Sequence, residues 1–147
     1  MFQLTADGVG AAIGTIHAAD SKQGLRLTPL LKGLTPGPHA MDLHENGDCG
    51  AGEAEGKKVP GLAAGGRFDP DKAISQAGPE GGNLHGELPG LMVDQDGIAR
   101  RPVAVPRLNL ARIKGRSIVI HAGAQSDVDR PATAGGDGTR VACGVVP

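Results

Sequence analysis

The chain has 147 residues, including 25 glycines and 11 prolines but only two phenylalanines and no tyrosine or tryptophan. This length predicts one domain, spanning 1–147, that can bury a core without a metal or a partner to hold it together. Fifteen basic and sixteen acidic side chains give a formal net charge of −1. The near-neutral charge and the scarcity of aromatic rings argue against nucleic acid and anionic membrane as partners, and no apolar stretch approaches the roughly 20 residues of a membrane-spanning helix.

Short β-strands are the predicted secondary structure. Hydrophobic alternation bounded by Gly, Pro, Asp or Asn occurs in Ile13–Ile16, Leu25–Leu31, Leu91–Val93 and Ile118–Ile120. Hairpin turns are predicted at Asp7-Gly8, Asp96-Gly97 and Lys114-Gly115, because Gly accepts the positive φ of such turns. No long amphipathic helix is visible. The pattern indicates an antiparallel sandwich or barrel.

Two long segments interrupt the strands. The first, Asn46–Pro89, is rich in Gly, Pro and charge, and the second is Gly123–Gly138. Loops of this length within one domain are usually functional or mobile. No internal repeat or linker signature divides the chain.

A histidine-rich run at His39–Glu45, with the pattern His-x-x-Asp-x-His-Glu, resembles the copper-binding strand of copper/zinc superoxide dismutases. The bacterial branch of that family is the most similar. Further matches follow in the family's order at Gly8–Gly10, Ile13–Ile16, Leu27–Leu34, Ala64–Pro70, Gly78–Gly81, Gly86–Pro89, Ala104–Leu108, Ile118–Gly123 and Gly135–Val146. The resemblance implies an all-β fold, an eight-stranded Greek-key β-barrel or sandwich whose two long loops wall an active-site channel.

The copper positions implied by the resemblance are only partly kept. Asp42 stands at the first copper-ligand position, a histidine in the family, whereas His44 and His121 match two retained ligands. Arg67 replaces the histidine that bridges copper and zinc. A guanidinium is cationic at ordinary pH and has no lone pair for a metal, so the bridge is predicted to be absent.

The implied zinc positions are also replaced. Gln76 and Leu84 stand where the family has zinc histidines, Glu87 stands where it has the zinc aspartate, and Gln125 replaces an aspartate that links the two metal sites. Zinc at the family site is therefore not expected. His85 could approach Glu87 if the segment shifts by one residue, but strand alternation points it to the opposite face, which favours a solvated loop histidine.

Three further positions have proposed roles. His39 matches a histidine that braces the backbone beside the metal ligands, and Arg140 matches the arginine that guides superoxide. In the family, the same arginine also braces carbonyl groups of the disulfide loop, so a structural role for Arg140 has equal weight. His17, in an early strand, is interpreted as a surface histidine without a role.

The two cysteines, Cys49 and Cys143, are paired by the resemblance as a disulfide, with two buried thiols as the alternative. A disulfide favours the periplasm or a secreted location. Met1–Gln3 does not have the features of a signal peptide, so export would require a segment that this sequence lacks; the alternative location is the cytosol.

Two interpretations of the centre remain. Asp42, His44 and His121 form a two-histidine, one-carboxylate set that can hold one copper or another divalent metal. Alternatively, no metal binds, because Arg67 repels a divalent ion and pairs with Asp42, Glu87 or both.

We therefore expect a superoxide-dismutase-like protein with little dismutase activity and a binding or structural role. In the family the bridging histidine takes up a proton when copper is reduced, which Arg67 cannot do. The alternatives are a dismutase with one mononuclear metal, and a metal carrier. The resemblance is compatible with a homodimer and with a monomer, and the sequence does not identify a physiological ligand.

Overall fold

The computed structural model describes residues 1–70, 86–124 and 139–147, and the predicted all-β fold is confirmed. The strands are β1 (Phe2–Thr5), β2 (Gly8–Ala12), β3 (Gly14–Ser21), β4 (Gly24–Leu31), β5 (Gly37–His44), β6 (Gly52–Ala54), β7 (Lys57–Val59), β8 (Glu87–Val93), β9 (Val103–Val105), β10 (Ser117–His121) and β11 (Arg140–Val145). Two short helical segments are a 3₁₀ turn at Leu62–Ala64 and a helix α1 at Leu110–Ile113. Neither is long enough to cross a membrane, and the described residues contain no other helix.

The strands form two main antiparallel sheets. One has the order β2-β1-β11-β10-β5-β8 and the other the order β3-β4-β9, while β6 and β7 form a separate hairpin. Only Ile13 separates β2 from β3, so one strand passes from the first sheet into the second. If β2 and β3 are counted as one strand and the β6–β7 hairpin is assigned to the first long segment, eight strands remain, the number that the resemblance predicts.

The core lies between the two sheets. On β4, Leu25, Leu27 and Leu31 are at most 1% exposed, whereas the intervening Arg26 and Leu30 face solvent. This alternation is the period of two that the sequence shows. Burying each such leucine stabilises the fold by roughly 1.5–3 kcal/mol relative to leaving it exposed.

A second, smaller cluster lies on the outer face of the six-stranded sheet, under the segment that follows β5. It consists of Leu4, Cys49, Ala64, Val119 and Cys143. Cys49 and Cys143 form the predicted disulfide, which joins positions 94 residues apart in the sequence. The disulfide therefore holds this segment against β11. All five residues of β10, which runs beside β11, are buried because both of its faces are covered.

Two turn predictions differ in outcome. Asp7-Gly8 joins β1 to β2, as predicted. Lys114-Gly115 does not form a hairpin, because the preceding residues form α1, whose first turn is capped by Asn109 Oδ1 accepting from the Arg112 amide at 3.0 Å. Gly115 has a positive φ of 74° where the chain leaves this helix.

The first long segment is shorter than predicted. It contains the β6–β7 hairpin and ends where β8 begins at Glu87, so Glu87–Pro89 belong to a strand. Glu87 lies opposite Asp42 on β5, and this pairing extends the six-stranded sheet to its β8 edge.

Candidate metal centre

Three predicted metal ligands converge on the outer face of the six-stranded sheet. Asp42 and His44 are two residues apart on β5 and therefore point to the same face. The adjacent strand β10 pairs with β5 in a register that places Val119 opposite Asp42, and it ends at His121. All three ligand candidates are at most 2% exposed.

The donor atoms lie close together. Asp42 Oδ2 is 3.1 Å from His121 Nε2, and one donor atom from each of Asp42, His44 and His121 lies within 4.8 Å of the other two. The two imidazole centroids are 6.2 Å apart. Two imidazoles and a carboxylate are a donor set that suits copper and other divalent transition metals.

His44 is held as the tautomer that leaves a lone pair facing this cluster. Its Nδ1 lies 2.9 Å from the Gly65 carbonyl oxygen, which can only accept, so Nδ1 carries the proton. Within the described part of the chain, His44 Nε2 has no hydrogen-bond partner. Burial lowers the pKa of His44 to about 4, assisted by the charge of Arg140 and opposed by the Gly65 carbonyl and Asp42. His44 is therefore neutral at pH 7.

Arg67, at the implied bridging position, points at the same carboxylate. Its Nε is 3.4 Å from Asp42 Oδ1, and its side chain is 12% exposed. The backbone beside it is attached to β5, because the Glu45 amide donates to the Gly66 carbonyl at 3.0 Å and the Phe68 amide donates to the Leu43 carbonyl at 2.8 Å. A guanidinium offers no lone pair, so these residues do not fit a bridged copper–zinc pair.

Arg140 braces the loop that carries Arg67. Its Nη1 donates to the Gly61 carbonyl at 2.6 Å and its Nη2 donates to the Gly65 carbonyl at 3.0 Å. The residue is 3% exposed. Burial lowers the pKa of the guanidinium, whereas the nearby Asp42 carboxylate raises it. These are the contacts expected of an arginine that braces carbonyl groups of the disulfide loop.

His39 links two backbone segments beneath the cluster. Its Nδ1 lies 2.6 Å from the His121 carbonyl oxygen, and its Nε2 lies 2.7 Å from the Thr35 carbonyl oxygen. The first contact ties the backbone of His121 to β5. His39 can therefore position His121 through its main chain.

The remaining predicted positions lie elsewhere. Glu87 is half-buried at the start of β8, and its carbonyl accepts from Arg107 Nη2. His17 is exposed on β3, in the other sheet. Four positions fall outside the described residues: Gln76, Leu84, His85 and Gln125.

Two residues without a predicted chemical role, Glu45 and Arg116, shape the site. Glu45 Oε1 accepts from the Gly66 amide at 3.1 Å. The Arg116 guanidinium stacks 3.7 Å above the Phe68 ring and donates to the Glu45 carbonyl. The signal in the sequence is the Gly65-Gly66 pair: Gly65 has a φ of 76°, which favours glycine, and a Cβ there would lie 2.6 Å from Glu45 Oε1.

Comparisons with known proteins agree with the fold. Residues 12–146 match the family model described as copper/zinc superoxide dismutase (SODC). The Cu-Zn superoxide dismutase 2 of Salmonella typhimurium is 44% identical over 144 residues, which cover 97% of this chain and 83% of that protein.

Two solved structures are also similar. The Cu/Zn superoxide dismutase from Brucella abortus has a TM-score of 0.88 at 40% identity, covering 99% of this chain and 96% of that one. A double mutant of a SOD-like protein from Bacillus subtilis has a TM-score of 0.74 at 26% identity, covering 93% and 90% of the two chains. The chain therefore belongs to the copper/zinc superoxide dismutase family, in its bacterial type.

Proposed function

We propose that this protein is an extracytoplasmic member of the family that does not dismute superoxide efficiently and that has a binding or structural role. An ionic cluster takes the place of the two-metal centre. The observation that carries the proposal is the ion pair between Arg67 Nε and Asp42 Oδ1, 3.4 Å apart in a buried setting.

The charges around Asp42 favour this metal-free cluster. At an effective dielectric constant of about 20, opposite unit charges at that distance attract by about 5 kcal/mol. Asp42 is fully buried, and a buried carboxylate needs such a partner to offset the loss of its hydration. A divalent ion beside Asp42 would instead be repelled by Arg67.

The residue types also oppose rapid redox cycling. The resemblance implies that the bridging histidine takes up a proton during copper reduction, but the Arg67 guanidinium is protonated throughout. The carboxylate of Asp42 is a harder ligand than the imidazole it replaces and therefore favours the more oxidised metal. The same position of Arg67 argues against zinc at the family site, as do the sequence identities of Gln76 and Leu84.

A second candidate function is supported by the donor cluster itself. Asp42, His44 and His121 would hold a single copper or another divalent metal, which would supply a one-electron or Lewis-acid centre when bound. His44 contributes to this candidate because its Nε2 lone pair faces the cluster and the ring is neutral at pH 7. A protein of this kind would be a weak dismutase or a metal carrier.

The disulfide and the relatives support an extracytoplasmic location. Cys49 and Cys143 are both buried in one bridge, which persists in oxidising compartments. The bacterial proteins that the chain resembles are consistent with the periplasm or secretion.

Superoxide kinetics test the proposal. Purified protein is loaded with copper, freed of loose metal by gel filtration, and mixed with superoxide. We expect decay no faster than in buffer. Decay that scales with protein concentration, and that is abolished in His44→Gln but kept in His17→Gln, would support the mononuclear dismutase instead, because His17 lies on the other sheet and controls for adventitious copper.

A further inference from the structure

We propose that Arg67 is a built-in competitor for metal: its guanidinium holds the Asp42 carboxylate, and removal of this single charge opens the Asp42, His44 and His121 set to copper(II). The inference rests on the proposed metal-free cluster and adds how that state is maintained. Arg67 and the incoming metal would compete for one carboxylate.

A nitrogen atom faces each oxygen of the carboxylate, which within the described residues accepts no hydrogen bond. Asp42 Oδ1 faces Arg67 Nε at 3.4 Å, and Oδ2 faces His121 Nε2 at 3.1 Å. Both contacts use atoms that a metal would need, because it would bind through a carboxylate oxygen and through His121 Nε2. A metal can therefore enter only if the side chains around Asp42 rearrange.

Arg67 is held in its competing position from outside the cluster. The backbone of residues 66–68 is hydrogen-bonded to Leu43 in β5 and to Glu45, the residue that follows this strand. The next residue, Phe68, is 5% exposed and is covered by the Arg116 guanidinium, which also donates to the Glu45 carbonyl. The segment is thus anchored on both sides of Arg67, so the main chain that carries the guanidinium is fixed beside Asp42.

The remaining donors are already close to a coordinating arrangement. Three donor atoms spread evenly around a metal, with bonds of about 2.0–2.2 Å, lie about 3.5–3.8 Å apart. The three donor atoms here lie within 4.8 Å of one another, so a contraction of about 1 Å would bring them to that spacing. The obstacle to metal is then the competing charge and not a missing pocket.

The first test removes the charge. Arg67→Gln is predicted to raise copper(II) affinity at least tenfold, measured by competition with a chromophoric chelator. Arg67→Lys, which keeps the charge, should stay within about threefold of wild type. Arg100→Gln is the matched control, because it removes a surface guanidinium that pairs with Asp94, and it should leave the affinity unchanged.

A double-mutant cycle tests the competition itself. Asp42→Asn should reduce copper affinity at least tenfold more in the Arg67→Gln background than in the wild-type background, because only there is the carboxylate released for coordination. The electron paramagnetic resonance spectrum of bound copper should change with Asp42→Asn in that background. If Arg67→Gln does not fold, Arg67→Met removes the same charge and keeps an extended stem.

The outcomes separate the two proposals. Unchanged copper affinity in the folded neutral variants, or equal effects of Asp42→Asn in both backgrounds, would overturn the competition. Tight binding of one copper by the wild type would overturn the metal-free proposal, whether or not Arg67→Gln binds more tightly. An equal gain in Arg100→Gln would show that net charge, and not Arg67 in particular, controls the affinity.

Discussion

Arg140 and His44 share one acceptor: the Gly65 carbonyl oxygen accepts from Arg140 Nη2 at 3.0 Å and from His44 Nδ1 at 2.9 Å. One side chain comes from β11 and the other from β5, so a single backbone group joins two strands to the loop that carries Arg67. The orientation of His44 and the position of Arg67 therefore depend on the same contact.

Replacing Arg140 should destabilise the fold. Arg140→Gln cannot reproduce both buried contacts to Gly61 and Gly65, and hydrogen bonds from charged groups contribute roughly 1.5–3 kcal/mol each. We expect the free energy of unfolding in urea to fall by about 2–4 kcal/mol. The exposed Arg26→Gln on β4 should change it by less than about 0.5 kcal/mol. Equal effects of the two substitutions would contradict the bracing role.

Acid should destabilise the metal-free protein through His44. Its pKa is about 4 in the folded state against an ordinary value of 6.5, so between these pH values protons bind preferentially to the unfolded chain. This contribution to stability is complete above pH 6.5 and is lost as the pH falls towards 4. The full difference between the two pKa values corresponds to about 3 kcal/mol of the free energy of unfolding.

The check compares the free energies of unfolding of wild type and His44→Gln, with a chelator present, at pH 7.5, 5.5 and 4.5. The advantage of the wild type over the variant should shrink by about 2–3 kcal/mol across this range. A difference that does not vary with pH would show that His44 is not buried as a neutral ring. Asp94 titrates in both proteins and cancels in the comparison.

Opening the disulfide should loosen the loop and weaken the fold. Cys49 and Cys143 are 94 residues apart in sequence, and in the chain-entropy model a closed loop of that size contributes about 4–5 kcal/mol. The double substitution Cys49→Ala/Cys143→Ala should lower the free energy of unfolding by an amount of this order. Addition of dithiothreitol to the double variant is the control and should have no effect. If the variant matched the wild type, the bridge would not contribute to stability.

Alanine should destabilise the fold more at position 65 than at position 56, where the glycine has the same φ. Gly65 and Gly56 both have a φ of 76°, but a Cβ would meet Glu45 and Asn46 at Gly65 and nothing within 4 Å at Gly56. Gly56→Ala should cost about 1–2 kcal/mol from the left-handed backbone alone. Gly65→Ala should cost more, because Glu45 must also release the Gly66 amide. Equal losses in thermal unfolding would mean that the close approach is easily relieved.

Restoring histidine at two positions should recover copper binding. The double substitution Asp42→His/Arg67→His supplies two of the missing imidazoles and removes the fixed charge, so copper affinity should rise well above the wild-type level. Zinc should still bind poorly, because Gln76 and Leu84 are unchanged. Isothermal titration with each metal checks both statements. Wild-type copper affinity in the double variant would mean that the channel has not kept the required shape.

The strands could be predicted where one face alone is buried. On β4 the apolar residues Leu25 and Leu27 are buried and the charged Arg26 between them is exposed, so the sequence pattern matches the burial pattern. The sequence failed at Lys114-Gly115, because a glycine with positive φ ends a helical turn as readily as it forms a hairpin. The predicted loop also extended too far, to Pro89, because the Gly and Pro residues near Glu87 are typical of loops although β8 begins there.

The grouping of the three candidate residues could be predicted, but the contacts that position them could not. The resemblance aligned Asp42, His44 and His121, and their donor atoms do lie together. The residue types left open whether Arg67 pairs with Asp42, Glu87 or both, and the structure places these two acidic residues opposite each other on adjacent strands. Every residue has a backbone carbonyl, so residue type does not show which one is used as an acceptor. Only the structure shows that two side chains share the Gly65 carbonyl.

Elemental analysis of the purified protein tests the central claim most directly. Samples are loaded with copper or with zinc, freed of loose metal by gel filtration, and measured for metal per chain. The Arg67–Asp42 cluster predicts a ratio near zero for both metals. About one copper per chain in the wild type, lost in His44→Gln and in His121→Gln but retained in His17→Gln, would contradict it and establish a mononuclear site at Asp42, His44 and His121.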